Sequence, residues 1–192
     1  MALPKNIGTE KPMEKKETEA KSGKLSDFRI RTAVAEDVPV ILRFIKKLAR
    51  YERLSHEVIA TEESLRKNLF GKNRFAEVIL AEYRRKVVGF ALYFHNFSTF
   101  LGTPGIYVED LYVDERHRGC GFGRALFNHI VRLAKKRGCG RMEWSVLDWN
   151  SPAIRFYKSM GALPLSDWTT YRLIKEALMK LANQRAKHRT GK

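Results

Sequence analysis

Val108-Glu109-Asp110-Leu111-Tyr112-Val113, followed directly by Asp114-Glu115-Arg116-His117-Arg118-Gly119-Cys120-Gly121-Phe122-Gly123, is the stretch on which the fold turns. The first six residues read as a strand and the next ten as a turn with glycines at alternate positions. Phe122–Arg137 then repeats apolar residues at Leu126, Phe127, Ile130, Leu133 and Ala134, the spacing of a helix. Glycines let successive amides approach a ligand without intervening side chains, and a helix start adds unpaired N–H groups. Arg116 and Arg118 add formal charge, so the segment is suited to a pyrophosphate. A dinucleotide turn needs Gly-x-Gly-x-x-Gly, and the third glycine here comes one residue early. Glu143, at about the distance of a ribose-binding acid, falls inside a strand, and no Lys-Ser ending marks a nucleotide triphosphatase loop.

Working toward the amino terminus, Ile106–Val113 is preceded by two more expected strands, Phe75–Tyr83 and Val87–Phe97, joined by the polar turn Arg84-Arg85-Lys86. Thr61 opens a helix ending near Gly71, with Ser64 where a full capping box has Glu or Gln. Glu36–Tyr51 places Val40, Ile41, Phe44, Ile45 and Leu48 on one helical face, and Phe28–Ala33 is the first strand. Toward the carboxyl terminus the pattern predicts a strand Arg141–Leu147, a short helix Pro152–Met160, a strand Trp168–Leu173 and a helix Ile174–Ala182. The order β-α-α-β-β-β-α-β-α-β describes an α/β (α+β) fold, a mixed, mostly antiparallel twisted sheet with helices on both faces.

The 192 residues suit one domain, here 28–182, between a disordered tail 1–27 and a basic tail 183–192. No run of eighteen apolar residues provides a membrane span. The start of the chain lacks the apolar core of a secretory signal, and Cys120 and Cys139 are too few for a disulfide scaffold, so a cytoplasmic location is expected. His56, His95, His117, His129 and His188 show no metal-ligand spacing, and no metal is expected. The net charge is +16, of which residues 28–182 carry +11. Such a body attracts polyanions, so weak, non-specific nucleic-acid association through the basic surface and tail is expected.

Arg118-Gly119-Cys120-Gly121-Phe122-Gly123 resembles the acyl-coenzyme A signature Arg/Gln-x-x-Gly-x-Gly/Ala of the GNAT N-acetyltransferases. Asn150-Ser151-Pro152-Ala153-Ile154-Arg155-Phe156-Tyr157 resembles that superfamily's Asn-x-x-Ala-x-x-x-Tyr segment, at a fitting separation. Arg31-Thr32-Ala33, Ile45–Glu52, Val88–Tyr93, Glu109-Asp110 and Trp149-Asn150 are similar to the diamine (spermidine/spermine) acetyltransferases and their thialysine-acetylating relatives. The resemblance covers 28–182. It implies the GNAT fold, acetyl-CoA as cosubstrate, direct transfer to a primary amine in a ternary complex, and a homodimer.

Carried onto this chain, the resemblance implies coenzyme contacts from Leu111, Tyr112 and Val113 on the strand. Further contacts come from Arg118, Gly119, Cys120, Gly121, Phe122, Gly123 and Arg124 at the turn, and from Asn150, Ala153 and Tyr157 on the short helix. Glu109 is implied to deprotonate the amine through water and Tyr157 to protonate the thiolate. Asp110, Asp148, Trp149 and Glu52 are candidate acceptor-binding residues. Glu109 and Asp110 are adjacent in a strand and are expected to point to opposite faces, so that only one faces a given pocket. A bulge or splay is expected between their strand and the one starting at Arg141, freeing amides for an oxyanion. The basic load around Glu52, Glu57, Glu62 and Glu63 sets a short diamine, thialysine or a lysine side chain beside spermidine and spermine as acceptors. A protein lysine or amino terminus as acceptor stays open, as does a different class, a nucleic-acid-binding or non-catalytic coenzyme-binding partner protein.

Overall fold

The computed structural model describes residues 27–184, in two compact units that meet in sequence at Leu147 and Asp148. The expected disordered segment up to residue 26, and the basic tail from residue 185 with His188, lie outside the described residues.

The first unit runs β1 (Phe28–Thr32), α1 (Val38–Tyr51), α2 (Glu62–Leu65), β2 (Glu77–Tyr83), β3 (Lys86–Ser98), β4 (Thr103–Val113), α3 (Phe122–Lys136) and β5 (Arg141–Glu143). The five strands form one sheet in sequence order. The first three pairings are antiparallel, and β4 with β5 is parallel. α1 starts after a 3-10 turn at Ala35–Asp37, two residues later than its periodicity suggests. Thr61 and Ser64 complete a reciprocal capping box, so Ser does the work expected of Glu: Thr61 Oγ1 accepts from Ser64 N at 3.1 Å and Ser64 Oγ accepts from Thr61 N at 3.0 Å. α2 is a single turn that widens into a π-helical segment, Arg66–Phe70.

Both faces of the sheet are covered. α3 packs Phe122, Leu126 and Ile130 against Ile79, Ala81, Ala91, Ile106 and Val108. α1 packs Ile41 and Phe44 against Leu80, Phe90 and Tyr112 on the opposite face. Each such fully buried side chain contributes about 1.5–3 kcal/mol. Gly89 is required by close approach, because a β-carbon there would stand 2.7 Å from the Tyr112 carbonyl oxygen. Beside the core, the buried Glu82 carboxylate accepts from Arg29 and Arg31, each at 2.5 Å.

The second unit holds α4 (Ser151–Ser159) and α5 (Lys175–Ala182). Asn150 caps α4, accepting from Ala153 N at 3.3 Å, and Gly161 follows the helix with φ +86°. Two sequence expectations fail near here. The strand predicted over Arg141–Leu147 ends at Glu143, and the strand predicted over Trp168–Leu173 does not form. Strands exist by pairing: the ladder with β4 stops at Tyr107↔Glu143, and Trp168–Leu173 has no ladder among the described residues. Trp168 and Tyr171 stay largely exposed there.

Candidate functional site

The β4 strand is irregular at one position. Leu92 pairs with Asp110 and Tyr93 with Val108, so Glu109 is the extra residue of a bulge against β3. Ile106 and Val108 before it face α3, and so do Leu111 and Val113 after it. The side-chain alternation has therefore slipped by one residue, which puts Asp110 on the α1 face with Tyr112. The expectation that Glu109 and Asp110 point to opposite faces assumed an unbroken alternation, and the bulge breaks it.

Among the described residues, the opposite edge of β4 has no ladder partner past Tyr107. Its pairing with β5 covers only Gly105, Ile106 and Tyr107, while β4 continues to Val113. This is the splay the sequence led us to expect; the bulge lies on the β3 side of the strand instead. Asp114 N donates to Val88 O at 2.8 Å, toward β3. Alternation then directs the N–H groups of Leu111 and Val113 to the open edge. Arg118 Nε donates to the Val113 carbonyl at 3.4 Å, consistent with that direction.

From this edge the chain enters the glycine turn. Asp114 pairs with Lys47 of α1 and caps the following turn by accepting from Arg116 N at 3.3 Å. The Lys47 ammonium holds the Asp114 carboxyl below the usual carboxylate range. Gly119 and Gly121 have φ of +74° and +83°, and nothing lies within 4 Å of the place a β-carbon would occupy on either. Gly121 is the α3 N-cap and makes no side-chain hydrogen bond to the first turn of the helix. The Phe122 ring is buried and stacks on Phe28 at 4.5 Å, leaving its backbone as its polar contribution. Cys120 is a free thiol packed against the α3-side core.

Arg118 does not point along this turn. Its guanidinium lies 4.5 Å from the Tyr51 ring centroid and 5.7 Å from that of Tyr112, held by cation–π contacts on the α1 face. Tyr51 and Lys47 are the contributors that sequence reading missed. Their periodic place near the α1 carboxyl end was visible, but their partners are far away in sequence.

Three acids named from the sequence come together electrostatically. Asp110 is pushed up to about 7, chiefly by burial and then by the charges of Glu109 and Glu52. Burial also raises Glu52, which follows the last residue of α1. Glu109 is exposed at the bulge. Among the described residues no group of three or more His, Cys, Asp or Glu is placed to hold a metal ion.

The second unit carries Asp148, Trp149, Asn150, Ala153 and Tyr157. Asn150 and Ala153 meet at the α4 cap, and Tyr157 lies one turn after Ala153, its ring centroid 5.3 Å from that of Phe156. Trp149 is half exposed.

The chain matches the model of the acetyltransferase (GNAT) family over residues 43–162. It is 36% identical over 171 residues to the thialysine N-epsilon-acetyltransferase of Mus musculus, covering 83% of this chain and 100% of that one. It is 34% identical over 198 residues to an L-ornithine N5-acetyltransferase of Arabidopsis thaliana, covering 80% and 87%. Among solved structures, an integron cassette protein from the mobile metagenome of V. cholerae superposes with a TM-score of 0.70 at 28% identity, covering 82% of this chain and 98% of that one.

Proposed function

The chain belongs to the acetyltransferase (GNAT) family, and from that premise we propose that it transfers an acetyl group from acetyl-CoA to a primary amine. The observation that carries this reading is the open edge of β4 running straight into the glycine turn at the start of α3. The open space at Gly119 and Gly121 and a helix start whose N-cap is a glycine fit a pyrophosphate. The outward N–H groups of Leu111 and Val113 fit the coenzyme's amide arm and the developing oxyanion.

Acetyl-CoA supplies the activated acyl group as a thioester. The chain must bind the amine and remove its proton. An alkylamine of pKa near 10 is about one-thousandth neutral at pH 7, a cost of roughly 4 kcal/mol. Glu52, Glu109 and Asp110 attract the ammonium and take up that proton. Family resemblance makes Glu109 the base, acting through water. Asp110, tuned near neutrality, exchanges protons readily at physiological pH. Tyr157 is the candidate to protonate the leaving thiolate, resemblance gives Asn150 and Ala153 the coenzyme's arm, and Asp148 and Trp149 are candidates for the acceptor side.

For the acceptor we favour a short diamine or a diamino acid. The relatives above are named for thialysine and ornithine. Three carboxylates set within a basic body suit one or two ammonium groups better than the longer cation of spermine. The proposal includes residues 28–182 acting as one catalytic domain, a homodimer and a cytoplasmic location; among the described residues no helix is long and apolar enough to cross a membrane. The test is acetyl-CoA-dependent thiol release with thialysine, ornithine, lysine, putrescine, spermidine and spermine. Release favouring the first four supports the reading. Release with none of the six, from folded protein, overturns it.

A further inference from the structure

The β2–β3 connection has a feature that hairpin formation does not call for. Tyr83 pairs with Lys86, so Arg84 and Arg85 form a two-residue turn. Both have positive φ, +49° and +61°. A turn with two left-handed residues is met at least cost by Asn-Gly or Asp-Gly, because a β-carbon is strained there. Here both positions carry arginine, and strain retained in this way marks functional segments.

The surroundings indicate what the arginines are for. An open cleft is lined by Asp27, Phe28, Arg29, Glu82, Arg84 and Arg85. Its carboxylates are already engaged: Glu82 by Arg29 and Arg31, and Asp27 by Arg84 at 3.7 Å. The Arg84 guanidinium lies 5.1 Å from the Tyr83 ring centroid, which braces it at the turn. Arg85 and Lys86 are exposed and have no partner among the described residues. Tyr83 also connects the hairpin to the glycine turn, with ring centroids 6.2 Å from His117 and 5.2 Å from Phe122. The three arginines lining the cleft exceed its two carboxylates by one charge, Arg29 and Arg84 make their ion pairs through Nε, and planar guanidinium forks match phosphate oxygens.

We propose that Arg29, Arg84 and Arg85 form a second phosphate site, separate from the glycine turn and at the same end of the sheet. Its ligand is a phosphate group, carried either by the coenzyme's own ribose or by a separate polyanion. The proposal does not depend on acetyl transfer, and its failure is distinguishable from failure of the catalytic reading.

The test titrates inorganic phosphate into isotope-labelled full-length protein and follows the resonances of residues 29 and 84–86 apart from those of 119–123. Three proteins are compared: wild type, Gly121→Val, and the double variant Arg84→Asn with Arg85→Gly. The double variant keeps the turn type with residues that suit it, so its melting temperature is expected to rise by a few degrees. Saturable shifts at 29 and 84–86 are expected in wild type and Gly121→Val and absent from the double variant. Absence of such shifts in wild type, or their persistence at residue 29 in the double variant, overturns the site.

The source of the phosphate is then read from two ratios. If the Kd preference for coenzyme A over its 3′-dephospho analogue collapses in the double variant, the coenzyme is the ligand. If that preference is unchanged while affinity for a short oligonucleotide at low salt falls by about tenfold, a separate polyanion is the ligand. Neither ratio changing overturns the proposal.

Discussion

Asp110, next to the β4 bulge, is lifted to about 7 by its burial, then by the charge of its neighbour Glu109 and by that of Glu52 just past the end of α1. This has a cost that varies with pH. An unfolded Asp titrates near 4, so below that pH Asp110 is protonated in both states and costs nothing. Between pH 4 and 7 the unfolded chain releases a proton that the folded chain keeps, and stability falls as pH rises. Above 7 the full cost, on the order of 4 kcal/mol, is present. Asp110→Asn is therefore expected to be more stable than wild type at pH 8, by up to about 4 kcal/mol, and equal to it at pH 3. Denaturant unfolding at the two values checks this. No gain at pH 8 would remove Asp110 from the buried acid group.

Glu82 has the opposite sign. Arg31, then Arg29, holds its carboxyl below the usual range. Its stabilising contribution is present above the unfolded value and is lost as pH falls through the folded one. Glu82→Gln should cost about 1–3 kcal/mol at pH 7, discounted because Arg29 is well exposed, and leave Arg31 still held by Asp37 at 2.6 Å. The difference from wild type should close as the pH drops below 4. A constant difference from pH 7 to pH 3 would mean that packing, and not the ion pairs, is what Glu82 supplies.

At Gly121 the room for a side chain and the backbone conformation give different answers. Nothing obstructs a β-carbon there, yet φ is +83°. Gly121→Ala should cost about 1–2 kcal/mol of stability from left-handed strain. It should also raise the KM for acetyl-CoA by about tenfold or more, since the added group occupies the cradle and the strain turns the amides. Amine KM should move little. Normal coenzyme kinetics in a folded Gly121→Ala protein would separate the turn from the coenzyme.

The glycine turn, the strand before it and the helix after it were legible because their signals are local: β-branched and aromatic residues, alternate glycines and a 3.6-residue repeat. The Glu109 bulge was not, because a bulge is a property of pairing with β3 and no residue at 108–110 announces it. The face that Asp110 occupies depends on that slip. The resting place of Arg118 between Tyr51 and Tyr112 was hidden for the same reason, as it joins α1 to β4 across more than sixty residues. Trp168–Leu173 failed the other way: its composition suits a strand, but composition cannot supply a neighbour.

Tyr157 supports a prediction whose outcome depends on chemistry more than on packing. It sits on α4 with its ring edge-on to Phe156, and Tyr157→Phe keeps the ring while removing the phenolic proton. If that proton assists thiolate departure, turnover should fall by about a hundredfold, at the low end for general acid catalysis because a thiolate of pKa near 8.5 is already a fair leaving group. The KM for acetyl-CoA should stay within about threefold, since the variant keeps the ring that meets the coenzyme. The leaving thiol of the donor is the discriminating readout. Turnover of the variant should recover toward wild type with an acyl donor whose thiol is more acidic, because such a leaving group needs no proton. A variant with reduced turnover that a more acidic leaving thiol does not restore would place Tyr157 in positioning, and one with unchanged turnover would take it out of the chemistry.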